Sequence, residues 1–194
     1  MKNLYSKSFL RFVEKYSTLS EDEISKLLEI FEYRFFENKS HIISPLEEKS
    51  TIFFICSGLI RYYYLADDGK EWNKAFISEN MMSTSFSTDF LGSASPFGIQ
   101  AMEDTALLIA DYTNFEALYD HHPMIERFGR KLIELILISK MNRERSFLKN
   151  NAKTRYKEFI LQNPNLVTRI PKYHLASYLG ITESSLSRLA VDIK

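Results

Sequence analysis

The stretch IPKYHLASYLGITESSLSRL, residues 170–189, decides how this chain is read. Apolar residues recur at helical spacing, a glycine interrupts them, and the spacing resumes behind a threonine. Pro171 suits the first helical position, where its missing N–H costs nothing. Leu175, Ala176 and Leu179 form the inward face of a first helix, and Ala176 is small where a crossing helix needs close approach. Gly180 can adopt the positive φ that ends a helix. Ile181 fills the corner, and Thr182 can cap a second helix. Leu186, Leu189 and Ile193 then make the buried stripe of that second helix. A small residue, a glycine four later and an apolar residue six after that match the packing pattern of a DNA-binding helix-turn-helix.

The outward face of the second helix carries Glu183, Ser184, Ser187 and Arg188, with Ser185 at its edge. Arg188 can give two parallel hydrogen bonds to guanine O6 and N7. Serine and threonine hydroxyls can reach base edges or phosphates. With Lys172 on the first helix, the candidate DNA-contact set is Lys172, Thr182, Glu183, Ser184, Ser185, Ser187 and Arg188. An ordinary helical hairpin would share the apolar stripes, but the small, glycine and apolar positions match together.

Charge supports a polyanionic partner at this end. Residues 1–139 carry 14 Lys and Arg against 21 Asp and Glu, whereas residues 140–194 carry 11 against 4. A basic end on an acidic body suggests that this end meets a polyanion such as nucleic acid, the alternative on charge alone being a surface that is merely basic. Arg143, Arg145, Lys149, Lys153, Arg155 and Lys157 supply a basic flank able to neutralise phosphates.

At 194 residues, 45% hydrophobic and 26% charged, the chain has the composition of one or two globular domains. No apolar run approaches the roughly 18 residues that span a bilayer, so no membrane association is expected. The N-terminus lacks the apolar core of a secretory signal. A single cysteine, Cys56, forms no internal disulfide and fits a reducing, cytoplasmic location.

Residues 3–37 read as helical, with Ser20 as a cap before an acidic first turn and a stripe of Ile24, Leu27, Leu28 and Phe31. From about 34 to 112 the runs RFFENKSHIISPLEE, TIFFICSGLIRYYYLADDGKEWNKAFI and FGIQAMEDTALLIADYT have strand composition. Asp68-Gly69 sits at the tip of a hairpin. Several short strands in this span suggest a sandwich or barrel. STSFSTDFLGSASPFG, residues 83–98, reads as a long polar insertion anchored by Phe86, Phe90, Leu91 and Phe97. Residues 114–150 are helical again. After Pro123, Ile125, Phe128, Leu132 and Leu135 form a stripe that Ile133, Ile136 and Leu137 widen. A helix apolar on more than one side favours a second partner, such as the same helix of another subunit, with burial within one chain as the alternative. Another basic helix, NAKTRYKEFILQNPN, precedes the closing motif.

Two segments, FFICSGLIRYYYLADDGKE and YHLASYLGITESSLSRL, resemble the glycine-containing hairpin and the DNA-reading element of the Crp/Fnr family of transcription regulators, and the resemblance runs nearly end to end. It is nearest to the compact members common in Bacteroidetes. The resemblance implies an α+β fold. Residues 1–122 would be a double-stranded β-helix (jelly roll) domain like those that bind cyclic nucleotides, with flanking helices. Residues 123–150 would be a dimerisation helix and residues 151–194 a helix-turn-helix domain. Only five residues follow Leu189, so the family's wing is expected to be short or absent. The implied partners are DNA, a second copy of the chain, and RNA polymerase.

Family members that bind cyclic nucleotides carry a Gly-Glu pair and, further on, an arginine that grips the phosphate. Here Ser83-Thr84 and Ser95 or Pro96 stand at those places, and no Arg or Lys occurs between Lys74 and Arg127. A cyclic phosphate would lose its charge-assisted contact, so cAMP is not the expected effector. If another small molecule fills the pocket, Thr84, Ser85, Ser95 and Gln100 are the polar candidates, with Ser139 and Lys140 closing it from the long helix. A filled, degenerate pocket is the alternative.

No cofactor is expected beyond such an unidentified effector. One cysteine cannot ligate an iron–sulfur cluster. Of the histidines, His121 and His122 precede Pro123 at a helix start, and His174, on the first helix of the DNA element, is placed to touch a phosphate. Only His41 lies among the strands, so the metal set of a cupin-type enzyme is missing and no enzyme activity or metal site is expected. Beside the regulator stands a second class, a ligand sensor or scaffold with degenerate DNA binding.

Overall fold

The structure, a computed structural model, describes residues 2–86 and 94–191. Two helices, α1 (Lys2–Glu14) and α2 (Glu21–Ile30), lead into eight strands. These are β1 (Glu32–Phe36), β2 (His41–Ile43), β3 (Thr51–Ser57), β4 (Leu59–Leu65), β5 (Glu71–Ser78), β6 (Met82–Ser85), β7 (Phe97–Ala101) and β8 (Thr105–Asp111). They form two antiparallel four-stranded sheets, ordered β1-β8-β3-β6 and β2-β7-β4-β5. Helices α3 (Tyr112–Ala117), α4 (Pro123–Lys149), α5 (Ala152–Gln162), α6 (Lys172–Leu179) and α7 (Glu183–Val191) complete the chain. This is the expected α+β roll followed by a long helix and a helical C-terminus.

Alternation explains how the roll is packed. On β3, Phe53 and Ile55 point inside with Ile60, Tyr62, Phe97, Ile99 and Leu107. Ile52 and Phe54 point outside, where Phe9, Phe12, Leu27, Phe115, Ile125, Phe128 and Leu132 cover them. A strand buried on both faces reads as a continuous apolar run, which is what TIFFIC is. Glu23 helps fix the helical layer. Its carboxylate accepts from the Ser20 N–H at 2.9 Å in a capping box and from the Met124 N–H at 3.3 Å at the start of α4.

Three sequence expectations change. Residues 32–36, read as the end of a helical run, are strand β1, because pairing with β8 gives EYRFF a ladder that a lone helix end lacks. The polar stretch 83–98 is not one long insertion. Ser83, Thr84 and Ser85 belong to β6, paired with β3, and Phe97 opens β7. Pro171 caps α6 from outside the helix at φ −53°, ψ 140°. Phe86 packs on the outer core beside Tyr112 and Phe97 is buried, whereas Phe90, Leu91 and Ile193 lie outside the described residues.

Helix α4 has two apolar faces. Ile125, Phe128 and Leu132 are buried on the roll, and Gly129 lies where a Cβ would collide with the Tyr119 hydroxyl. On another face Leu137, Ile138, Met141 and Leu148 are more than half exposed. Among the described residues no helix is long and apolar enough to cross a membrane.

Candidate nucleic-acid interface

Helices α6 and α7 meet at the bend the sequence marks. Gly180 takes φ 67°, ψ 37°, and the Ile181 N–H reaches back to the Ala176 carbonyl at 3.1 Å, closing a Schellman turn. Thr182 Oγ1 accepts from the Ser185 N–H at 3.2 Å and lies within 3.0 Å of the Ser184 and Ser185 hydroxyls. Leu175, Ala176, Leu179 and Leu186 are buried against Tyr156, Phe159, Leu166 and Ile170. Lys172, Thr182, Glu183, Ser184 and Arg188 are exposed, and Ser185 and Ser187 are half-buried. Arg188 is exposed and has no ion pair or hydrogen bond among the described residues.

Gly180 is a specific requirement. A Cβ there would sit 2.9 Å from the Phe147 ring, and a β-branched residue resists positive φ. Gly180→Val should cost about 1–2 kcal/mol from the backbone alone, with the clash adding to it. Hydrogen exchange of the α6 and α7 amides should rise in this variant and, because alanine adds the same Cβ without the branch, to a smaller but clear extent in Gly180→Ala. Equal protection in Gly180→Val and the parent would contradict the role given to the bend.

Two arginines of the expected phosphate flank have another task. Arg143 Nη2 donates to the Tyr178 carbonyl at 2.8 Å, and its guanidinium lies 3.9 Å from the centre of the Tyr178 ring. Arg155 donates from Nε and Nη2 to the Leu179 carbonyl at 3.2 and 2.9 Å. Both place positive charge on the carbonyl end of α6, where the helix dipole favours it. Arg145, Lys149 and Lys157 remain exposed.

His174 corrects another expectation. It is buried rather than facing a phosphate, with Nδ1 3.1 Å from Asn73 Nδ2, and the same amide donates to the His174 carbonyl at 3.2 Å. Burial, then the charge of Arg61, pushes its pKa down to about 4. The Asn73 N–H donates to Ser177 Oγ at 3.0 Å. Phe76 of β5 packs on Phe159 and Tyr178, and Arg169 is gripped by Glu79 and Glu103, with the Glu79 contact at 2.7 Å. The C-terminal helices are therefore docked on the β4–β5 side of the roll through a mixed polar and aromatic seam.

The residues expected to hold an effector do not share one open site. Thr84 Oγ1 donates to the Thr51 carbonyl at 2.8 Å, and Ser95 Oγ to the Phe97 carbonyl at 2.9 Å. Gln100 accepts from Arg61 Nε and Nη2 at 2.8 and 2.6 Å and donates to the Lys39 carbonyl. Ser85 is fully buried, its hydroxyl without a partner among the described residues, while Ser139 and Lys140 are exposed on α4. Arg61, buried inside the roll wall, is paired with Glu71 at 2.6 Å. A cyclic phosphate does not fit this set, because the nearest buried cation already has its carboxylate.

A cavity of about 440 Å³ opens instead between the β4–β5 hairpin, α4 and the bend, lined by Tyr64, Trp72, Asn73, Lys74, Arg143, Phe147, Ser177 and Gly180. Its lysine was not singled out from the sequence. Lys74 is the extra residue of a β-bulge, since Tyr62 pairs with Ala75 and Tyr63 with Asn73. Bulges re-aim side chains beside functional sites, and they break the two-residue period that sequence reading depends on. Among the described residues no three His, Cys, Asp or Glu come together as a metal set. Burial raises the Cys56 thiol to about 11, in keeping with an inert thiol.

No protein-family model and no curated protein sequence matches this chain. Solved structures do. A variant of CooA from Carboxydothermus hydrogenoformans matches with TM-score 0.69 and 24% identity over 89% of this chain and 80% of that one. FixK2 from Bradyrhizobium japonicum matches with TM-score 0.73 and 16% identity, covering 84% of each chain. A regulator assigned to the crp/fnr family, from Eubacterium rectale, matches with TM-score 0.70 and 15% identity over 88% of this chain and 82% of that one. The chain has a Crp/Fnr-type fold.

Proposed function

We propose that this protein, built on that fold, is a DNA-binding transcription regulator that acts as a homodimer and answers to an effector other than cAMP. The observation that carries the reading is the bend at Gly180, which holds α7 with Ser184 and Arg188 exposed while Leu186 is buried. That is the geometry in which a second helix enters a major groove. The likeness to the solved transcriptional regulator of the crp/fnr family from Eubacterium rectale supports the same reading. On this reading the roll senses, α4 pairs two copies, and α6 and α7 read DNA. Lys172 and Thr182 would contact phosphates, and Glu183, Ser184, Ser185, Ser187 and Arg188 would lie along the groove, with two half-sites about 34–36 Å apart. RNA polymerase is the natural further partner of such a regulator, which would have no enzymatic task.

Arg188→Ala tests the reading at one residue. It should cost about 1–3 kcal/mol on the specific site and relax preference at one base pair. Fluorescence anisotropy with the gene's own upstream duplex and with single-base variants of it measures both. Equal loss on specific and random duplexes would remove Arg188 from base reading.

A further inference from the structure

We propose that Arg169 is a positioning residue for DNA reading: by forking onto Glu79 and Glu103 it fixes the angle at which the C-terminal helices stand on the roll, and so the half-site spacing that two paired α7 helices accept. This role rests on the regulator reading and adds to it what sets the spacing. Arg169 lies in the connector between α5 and α6, just before Lys172 opens α6. Its Nη1 and Nη2 donate to the two oxygens of Glu79 at 3.0 and 2.7 Å. Its Nε and Nη2 donate to those of Glu103 at 3.2 and 2.5 Å. Exposed ion pairs contribute little as a rule, but a planar fork shared by two acids has both direction and strength.

The acids are themselves held. Glu79 directly follows β5, and Glu103 lies in the turn from β7 to β8. Burial alone would raise the Glu79 pKa, but hydrogen bonds from Arg169 and from the backbone of Glu79 and Gly58 outweigh it and keep the carboxyl below its usual range. Thr105 Oγ1 donates to the Glu103 carbonyl at 2.7 Å. Gly58, at φ 98°, turns β3 into β4 with no room for a Cβ beside Asp104 and Thr105. The corner that carries the two carboxylates is therefore closely packed, and it offers Arg169 a fixed target.

The other attachments leave one freedom open. Leu59, Phe76 and Met102 of the roll pack on the core of the C-terminal helices, but apolar contact is non-directional and tolerates sliding. Directional contacts on α6 are gathered at its C-terminal half. The Asn73 N–H donates to Ser177 Oγ at 3.0 Å, and Arg143 donates to the Tyr178 carbonyl at 2.8 Å. Ser146 and Asn150 donate to Glu158 at 2.6 and 2.7 Å where α4 meets α5. A body held on one side can still tilt about that side. Arg169 grips the opposite side, since Asn73 and Glu79 stand about 20 Å apart along β5 at roughly 3.3 Å per residue. Over that arm a tilt of about 10° moves one end by about 3.4 Å, the rise of one base pair.

The test uses the full chain and three duplexes: the upstream site, and the same site with one base pair added to or removed from the centre between its half-sites. The unaltered protein should prefer one spacing by at least about tenfold. In Arg169→Met that preference should shrink to about threefold or less, while discrimination against a single-base change within a half-site stays the same. Arg169→Lys, which cannot fork onto both acids, should fall between, and Glu79→Gln with Glu103→Gln should match Arg169→Met. Circular dichroism and sedimentation velocity establish that each variant is folded and paired. Without DNA, hydrogen exchange of the amides of residues 163–177 should rise in Arg169→Met, with those of β3 and β8 unchanged. Four results would overturn the role: an undiminished spacing preference in Arg169→Met, an equal loss on all three duplexes, tighter binding to all three, or unchanged exchange. Equal loss would make Arg169 a phosphate contact, and tighter binding would make the fork an inhibitory latch. An unaltered protein that treated the upstream and scrambled duplexes alike would remove the regulator reading and this role with it. One that told them apart, with spacing preference intact in Arg169→Met, would remove this role alone.

Discussion

Ile138→Glu combined with Met141→Glu should split the protein into monomers and lower its affinity for a two-fold duplex by at least about a hundredfold, or about 2.8 kcal/mol. The argument begins with the turn of the helix. Residues 137, 138, 141 and 148 fall on one side of α4, roughly opposite Ile125, Phe128 and Leu132. The second group is buried on the roll, whereas Leu137, Ile138, Met141 and Leu148 are exposed by 54 to 78%. A helix covering a core needs one stripe, and a second stripe of this size marks a partner. Pairing two α4 helices would bury these side chains and hold two α7 helices at a fixed distance. A single copy would make only half of the contacts with DNA. Glutamates in the seam would bring like charges together in a desolvated strip. Sedimentation velocity and anisotropy on the same samples measure the two effects. A double variant with unchanged mass in solution and unchanged affinity would remove α4 from the interface.

Stability should fall between pH 6.5 and 4 through His174. Unfolded, its imidazole titrates near 6.5, and folded, at about 4. Above 6.5 the ring is neutral in both states, and its contribution to stability is fully present. As pH falls, the unfolded chain takes up the proton first, and up to about 3 kcal/mol is lost by the time the folded pKa is reached. The cause is local, because the ring is buried against Asn73 with Arg61 close by, and neither can accept a new proton charge. Urea unfolding at a series of pH values should show this loss in the parent. In His174→Gln, whose amide can still meet Asn73, the loss should be clearly smaller. Identical pH slopes in the two proteins would contradict the placement of His174 in the seam.

The bend was legible because its requirements are local. Gly180 must take positive φ, Thr182 must cap, and Leu186 must face Ala176, so each choice restricts neighbours a few residues away. The strand character of β3 was legible as apolar and β-branched sequence, whereas its burial on both faces came only with the structure. The seam between roll and helices was not legible. Strict alternation puts Asn73 and Phe76 on opposite faces of β5, but the extra residue Lys74 brings both toward the C-terminal helices. Arg143 and Arg155 looked like a phosphate flank because composition cannot tell a cation facing solvent from one serving the carbonyl end of α6. Arg169 gave no sign of its partners, which are 66 and 90 residues away. Ser83 to Ser85 read as loop because serine and threonine favour turns, yet pairing with β3 overrides that preference.

The central claim, that α7 reads DNA from a paired molecule, is tested most directly by titrating the gene's own upstream duplex and a scrambled duplex of equal length at one salt concentration. The account predicts two chains per duplex at saturation and a preference for the upstream sequence of at least about a thousandfold. Equal affinity for both duplexes, or one chain per site, would contradict it.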